Sequence, residues 1–145
     1  GWEVDAFDYS EAAKRKAEQL FDQVGVSVNY LSSTAEDYPF PTNHYNLVFL
    51  CYAHLPPDSR AYLHKQSAQS LCEGGYVLLE GFHTEQLGRA SGGPKSEDML
   101  FTLDQMRSEF KGLDIQQLEK SVYHLAEGNY HKGEAVVVRM IARKL

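Results

Sequence analysis

The chain has 145 residues, of which 43% are apolar and 12% aromatic, and its formal net charge is −6 at pH 7. This length fits one domain with a single core, and the acidic balance disfavours binding to the phosphate backbone of a nucleic acid. No apolar run approaches the roughly 18–20 residues that span a bilayer, and the first residues lack the basic and apolar regions of a signal peptide. We therefore expect one domain over residues 1–145 in the cytoplasm, with no nucleic-acid partner and no membrane partner.

Strand-like and helix-like segments alternate along most of the chain, which is the pattern of a parallel sheet flanked by helices and predicts the α/β fold class. In chain order the predicted elements begin with a strand at 2–7, a helix at 11–24, strands at 26–31 and 45–52, and a helix from 56 to about 71. A turn at 73–75, a strand at 76–82, a helix from 102 or 104 to about 110, and strands at 113–125 and 134–142 follow. Ser10 is expected to cap the first helix and Gly25 to end it. The buried stripe of this helix is expected at Ala13, Ala17, Leu20 and Phe21. No helix separates the last two strands, so we expect antiparallel neighbours joined by a turn at 127–133.

The polar, glycine-rich segment at 83–98 is longer than an ordinary connection, which predicts a mobile piece that carries binding residues. In a sheet of this kind the ligand site lies at the carboxyl ends of the strands. Asp8 stands at such an end, and its two acceptor oxygens match the paired donors of a ribose diol. The alternative, that Asp8 only caps the helix after it, agrees equally well with the spacing.

Other kinds of site have weaker support. The six histidines lie on separate segments with no close ligand pair, so no metal site is predicted. Cys51 and Cys72 show no metal spacing and are expected to be reduced thiols. Cys51 lies near His54, but neighbouring strand residues point to opposite faces, which argues against a cysteine nucleophile. The sequence also has no G-x-S-x-G elbow of a serine hydrolase.

Several segments together resemble a class I methyltransferase that uses S-adenosylmethionine, a family with a Rossmann-like sheet. The resemblance is carried by residues 4–10, 45–49, 54–56 and 71–82. Three more specific motifs, at 85–87, 92–95 and 127–133, are similar to a bacterial branch of small methyltransferases related to the tellurite-resistance and thiopurine group. The resemblance implies methyl transfer to a small-molecule acceptor.

The resemblance also implies roles for individual residues. Those implied to bind the cofactor are Asp8 at the ribose, Tyr9, Thr34 and Ala35 near the adenine, and Cys51 and Tyr52 along the cofactor floor. Those implied to face the acceptor are His54, Glu80, His83, Tyr130 and His131. A general base is needed only if the acceptor must lose a proton, and His54 and His131 are the candidates for that catalytic role.

Members of this family begin with a strand, a glycine-rich loop and a helix, whereas this sequence starts at the following strand and contains no G-x-G pattern. The resemblance therefore implies an N-terminally truncated domain that binds the cofactor weakly or not at all. Exposed sheet edges would be closed by a second copy, giving a homodimer, or by direct pairing of the first strand with the strand at Tyr45. One alternative is a non-catalytic methyltransferase-fold domain that acts through self-association. A dinucleotide-binding oxidoreductase would share Asp8, but it explains neither residues 92–95 nor the antiparallel final strands.

Overall fold

The computed structural model of the chain describes residues 1–126 and 131–145. The chain divides into two compact units, residues 1–39 and residues 40–145. The strands form a two-stranded sheet and a four-stranded sheet, accompanied by helices, so the predicted α/β class is confirmed. Within the described residues, every helix is too short or too polar to cross a lipid bilayer.

The first unit is a strand–helix–strand motif. β1 (Asp5–Asp8) and β2 (Asn29–Ser32) pair in parallel, and α1 (Glu11–Val24) connects them. The hydroxyl of Ser10 caps the helix by accepting the backbone N–H three residues further on, at 3.2 Å. Gly25 ends the helix with φ of 71°, a left-handed conformation that costs glycine the least. The predicted bounds of this helix are confirmed.

Little of the first unit is buried. Among the apolar residues of 1–39, all of which the structure describes, only Ala35 and Tyr38 are buried. The ring of Tyr38 stacks on Phe7 at a centroid distance of 4.2 Å. The stripe predicted for α1 is only partly formed, since Leu20 is 55% exposed and the other three residues are half-buried. A two-stranded sheet offers one helix too little surface to bury a full apolar face.

The second unit contains a four-stranded sheet in the order β3-β4-β6-β5. Its elements are β3 (Tyr45–Cys51), α2 (Pro57–Ser70), β4 (Leu71–Phe82), α3 (Leu103–Glu109), β5 (Asp114–Ala126) and β6 (Lys132–Arg143). β3 and β4 are parallel, and β6 is antiparallel to both of its neighbours. The expectation that the last two strands are antiparallel neighbours is confirmed. Because β1 and β3 belong to different sheets, the alternative in which they pair directly is wrong.

β4 begins five residues earlier than predicted. The predicted turn at 73–75 lies inside the strand, where the pairing with β3 shifts register between Tyr45 and Leu47. Gly74 has φ of 79°, and a Cβ on Gly75 would lie 3.0 Å from the carbonyl oxygen of Tyr45. The two glycines therefore form a bulge that brings two backbones close together, rather than a turn between elements.

The core of the second unit is formed by the inner faces of β4 and β6 and by α3. One buried cluster consists of Phe82, Leu100, Leu125, Ala135 and Val137. Gly81 allows this packing, because a Cβ there would collide with the ring of Phe101. The cluster lies beside the carboxyl end of β4, so it supports the part of the sheet where ligands are expected.

α2 and α3 are joined by a polar cluster of Arg60, His64 and Glu109. The ring of His64 is fully buried, and its Nδ1–H donates to Oε2 of Glu109 at 2.5 Å. Arg60 donates through Nε to Oε1 of the same carboxylate at 3.0 Å and through Nη1 to the carbonyl of Asp98 at 2.7 Å. Burial acts to raise the pKa of Glu109, but the hydrogen bonds and charges of His64 and Arg60 outweigh it and leave that pKa below its usual value.

Candidate functional site

The carboxyl ends of β1 and β2 lie side by side, with Asp8 in register with Ser32. Oδ1 of Asp8 accepts the N–H of Ser10 at 2.8 Å, so part of the carboxylate shapes the turn into α1. Its other oxygen makes no hydrogen bond with any residue in the described ranges. Burial, and then the negative charge of Asp8, raise the pKa of Tyr30 on β2. Asp8 therefore shapes the start of the helix and still offers one acceptor oxygen at this edge.

The other residues predicted around the adenine lie in the same unit. Oγ1 of Thr34 donates to Oδ2 of Asp37 at 2.8 Å and accepts the N–H of Asp37 at 3.2 Å, so it is held in a turn just after β2. Ala35 is buried, whereas Tyr9 is 77% exposed. The structure thus brings Asp8 and the Thr34 turn to one sheet edge and leaves the ring of Tyr9 accessible to a planar ligand.

Tyr52 follows β3 with an unusual backbone conformation. Its φ is 50°, in the left-handed region that residues other than glycine seldom adopt. Its N–H donates to the carbonyl of Glu80 at 2.8 Å, and its hydroxyl donates to Oε1 of the same residue at 2.9 Å. Its ring lies 4.8 Å from that of Phe82. Strained backbone of this kind is typical of functional sites, and here it fixes the ring at the carboxyl end of the sheet.

The carboxylate of Glu80 forms an ion pair within the sheet. Its Oε2 accepts Nε–H of Arg139 at 2.6 Å, while its Oε1 accepts the Tyr52 hydroxyl. Hydrogen bonding to Glu80 raises the pKa of Arg139 above its usual value. The guanidinium also lies over the ring of Tyr123 at 5.1 Å. The carboxylate predicted to face the acceptor is therefore paired with a cation.

His54 has both ring nitrogens engaged. Its Nε2 accepts the backbone N–H of Phe82 at 2.9 Å, so this nitrogen carries a lone pair, and Nδ1–H donates to the carbonyl of Met99 at 2.8 Å. Burial lowers the pKa of His54. The hydrogen bond to Met99 acts to raise this pKa, and the charge of Arg60 acts to lower it. The prediction of His54 as a general base conflicts with these contacts, because the lone pair that would accept a proton already accepts a hydrogen bond.

An open cavity of about 570 Å³ lies within the second unit. Its lining residues are Tyr52, His54, Phe82, Gly93, Pro94, Lys95, Ser96, Met99 and His131. The ring of His131 stacks towards Phe82 at 6.4 Å, and neither of its nitrogens has a hydrogen-bond partner in the described part of the chain. Three of the predicted residues, Tyr52, His54 and His131, thus meet in one cavity.

The segment at 83–98 is tied to the sheet by the buried side chain of Gln86. Its Oε1 accepts the N–H of Val136 at 2.9 Å, and its Nε2 donates to Oγ of Ser91 at 2.8 Å and to the carbonyl of Gly92 at 2.9 Å. The hydroxyl of Ser91 in turn donates to the carbonyl of Glu134 at 2.7 Å. These contacts argue against the expectation that the segment is mobile, because leaving β6 would unpair several buried polar groups at once.

Gly93 continues the same segment into the cavity wall. It has φ of 101°, and an added Cβ would lie 3.0 Å from the ring of Phe82 and 3.2 Å from Cγ of Gln86. The two sequence motifs at 85–87 and 92–95 are therefore in contact, and together they place Lys95 at the cavity.

The remaining predicted residues lie elsewhere. His83 is outside the cavity lining, where its Nδ1 accepts the N–H of Glu85 at 3.1 Å. Burial lowers the pKa of His83, with the charge of Glu85 opposing it. Cys51 lies on β3 in register with Glu80, and Tyr130 falls outside the described residues. In the ranges that the structure describes, no three His, Cys, Asp or Glu side chains form a group able to hold a metal ion.

Sequence reasoning did not single out Phe82, Ser96 or Met99 as site residues. Phe82 forms the floor on which the rings of Tyr52 and His131 lie. It was recognisable only as the last residue of a strand, a position that carries no chemical signature. The motif at 92–95 did carry a signal, because nothing in a generic sheet requires two glycines and a proline before a lysine.

Known proteins share both sequence and structural features with this chain. Residues 1–75 match the model of a family described as a methyltransferase domain. No curated protein is significantly similar to the chain. TehB from Haemophilus influenzae has a similar structure, with a TM-score of 0.77 and 13% identity over 100% of this chain and 51% of its own. A SAM-dependent methyltransferase from Methanosarcina mazei gives 0.76 and 17% over 100% of this chain and 83% of its own. The N-methyltransferase NodS from Bradyrhizobium japonicum gives 0.69 and 9% over 99% and 74%. The chain thus spans about half the length of TehB.

Proposed function

The chain belongs to the methyltransferase-domain family, and we propose that it serves the transfer of a methyl group from S-adenosylmethionine to a small-molecule acceptor. The observation that carries the proposal is the family match over residues 1–75, a range that includes Asp8 at the carboxyl end of β1. The Rossmann-like structures with which the chain aligns support the same reaction class.

On the cofactor side, the residues of the first unit fit the nucleoside part of S-adenosylmethionine. Asp8 keeps one carboxylate oxygen for a ribose hydroxyl, and the accessible ring of Tyr9 suits contact with the adenine. Thr34 and Ala35 would lie along the adenine edge, while the roles of Cys51 and Tyr52 at the cofactor stay predictions of the family resemblance. When bound, the cofactor supplies a methyl group that its positively charged sulfur already activates.

On the acceptor side, the work of the protein is to orient the acceptor in the cavity and to take its proton where it carries one. Tyr52, Phe82 and Met99 supply the wall. We assign the base to His131, whose ring nitrogens are without partners in the described ranges, and we assign to His54 a positioning role between β4 and Met99.

Thermal unfolding with S-adenosylhomocysteine tests the cofactor site. A charge-assisted hydrogen bond contributes about 1.5–3 kcal/mol, against the roughly 8 kcal/mol of micromolar binding, so we expect a dissociation constant in the millimolar range. The melting temperature should rise at about 10 mM ligand, because a ligand that binds only the folded state stabilises it. The rise should be lost in Asp8→Asn and kept in Asp22→Asn, a matched change on the exposed face of α1. An equal rise in both variants, or none in the unsubstituted chain, contradicts the assignment.

Self-association is a second candidate function. β3 is an edge strand of the four-stranded sheet, and it leaves Phe49 60% exposed with Leu47 beside it on the same face. Apolar edge strands of this kind favour pairing with another strand, which suits a homodimer through sheet edges. Light scattering over a hundredfold range of concentration should show a dimer that Phe49→Lys dissociates. A monomer throughout that range contradicts this candidate.

A further inference from the structure

The charged side chains in and near the cavity differ in whether they have a partner of opposite charge. Glu80 is paired with Arg139, and the contacts of His54 hold its ring in the neutral form. Among the lining residues that the structure describes, Lys95 is then the one with a formal charge, and it forms no ion pair with any other described residue. The nearby carboxylate of Asp98 is outside the lining and accepts the hydroxyl of Ser96.

The backbone that leads to Lys95 is held in place, while the lysine side chain itself is exposed. Gln86 binds the carbonyl of Gly92, Gly93 lies against the ring of Phe82, and Pro94 restricts the next backbone torsion. A cation whose backbone is fixed loses less conformational freedom on binding than one on a flexible loop. The position of the lysine is therefore built into the segment.

Another part of the lining is aromatic and apolar. The ring of Tyr52 lies 4.8 Å from that of Phe82 at an interplanar angle of 54°, the ring of His131 lies 6.4 Å from it at 27°, and Met99 adds a thioether. Such a wall suits the face of a planar ring, whereas a long flexible chain would gain less from it.

We infer that this cavity takes a planar organic anion of the aromatic carboxylate class, with its ring against Tyr52, Phe82 and His131 and its carboxylate on Nζ of Lys95. The inference rests on the proposed function for the view that the bound molecule is the methyl acceptor. Lys95 is then the residue that selects the acceptor by charge, since an ammonium donor binds a carboxylate more strongly than its neutral amide.

Binding of 2-naphthoate and of its neutral analogue 2-naphthamide, measured by ligand-observed NMR without cofactor, tests the inference. The unsubstituted chain should bind the acid about tenfold more tightly than the amide, because one charge-assisted hydrogen bond has that worth. Lys95→Gln should remove this preference for the acid, and Lys95→Arg should keep most of it. The control Lys65→Gln, at an exposed position of α2, should leave the preference unchanged. Tyr52→Leu should weaken both probes alike.

Equal affinities for acid and amide, no binding of either probe, or an unchanged preference in Lys95→Gln would each overturn the inference. The outcome is separable from that of the proposed function. Selective binding of the acid without any methyl transfer counts against the proposed function alone. Methyl transfer with no preference for anionic acceptors counts against the aromatic carboxylate class alone.

Discussion

The two units differ in what holds them together. In residues 1–39 only Ala35 and Tyr38 are buried apolar residues, whereas in the second unit β4, β5 and β6 contribute to one buried cluster and α3 buries Met106. The family match runs over residues 1–75, so it covers the whole first unit but only the opening elements of the second. The part of the chain with the strongest family signature is therefore not the part with the best packing. Residues at strand ends can define a family, while stability comes from buried strands that many folds share.

The largest expected difference between the units comes from removing a large apolar side chain. Phe110 is fully buried against the ring of His64 at 4.7 Å, so Phe110→Ala should lower the free energy of unfolding by about 3–5 kcal/mol. Leu20→Ala, on α1 of the first unit, should cost less than about 0.5 kcal/mol because that side chain is mostly exposed. Urea unfolding of both variants measures the contrast, and similar losses would show that α1 is packed in solution.

The polar cluster between α2 and α3 gives the next largest effect. Glu109→Gln leaves the guanidinium of Arg60 without its carboxylate and weakens the hydrogen bond from His64, and we expect a loss of about 2–3 kcal/mol at neutral pH. Because the pKa of Glu109 is lowered in the folded state, its contribution is present above its usual pKa near 4.5 and is lost as the pH falls through the folded-state value. Urea unfolding between pH 3 and 7 should show the two proteins converging at the acid end. A difference independent of pH would contradict the charged pairing.

Two glycines separate backbone strain from close contact. Gly93 and Gly88 both have positive φ, at 101° and 81°, but only at Gly93 would an added Cβ have atoms within 4 Å, namely those of Phe82 and Gln86. Gly88→Ala should cost about 1 kcal/mol from strain, and Gly93→Ala about 1–2 kcal/mol more from overpacking. Thermal unfolding compares them, and equal losses would mean that the wall of the cavity yields easily.

The smallest effect concerns the helix caps, one in each unit. Ser10→Ala should cost about 1 kcal/mol, since the hydroxyl caps the first turn of α1. Thr102→Ala removes the capping box of α3 and should cost as much or slightly more, because its partner Gln105 loses its reciprocal bond. Circular dichroism during urea unfolding provides the measurement. A negligible loss for Ser10→Ala alone would sharpen the contrast by showing α1 frayed at its start.

Local rules predicted the parts of the fold that depend on neighbouring residues. Ser10 and Gly25 fixed the bounds of α1, and the missing helix before the final strand fixed its antiparallel pairing. The bulge at 73–75 was not predicted because it depends on the close approach of β3, which local sequence does not indicate. The hydrogen bond that Nε2 of His54 accepts was not predicted for the same reason, since its donor, the N–H of Phe82, lies 28 residues away on β4.

The sequence indicated where the residues of the candidate site lie better than it indicated what each side chain does. The rule that ligands bind at strand ends pointed to Asp8, and the family resemblance pointed to Tyr52, His54 and His131, which line the cavity. It could not show that Glu80 is neutralised by Arg139, because a side-chain pairing between β4 and β6 depends on register. Family motifs pointed to residues 92–95, and the contact with Gln86 supplies their physical connection.

The amide of Gln86 carries a consequence for how this sequence can change. One side chain satisfies the strand amide of Val136, the hydroxyl of Ser91 and the carbonyl of Gly92, so three positions depend on a single residue. Glutamate at this position could accept but not donate, and leucine could do neither. We therefore expect homologous sequences to retain or to exchange these positions as a set, and the spacing of the two motifs to tolerate no insertion between them.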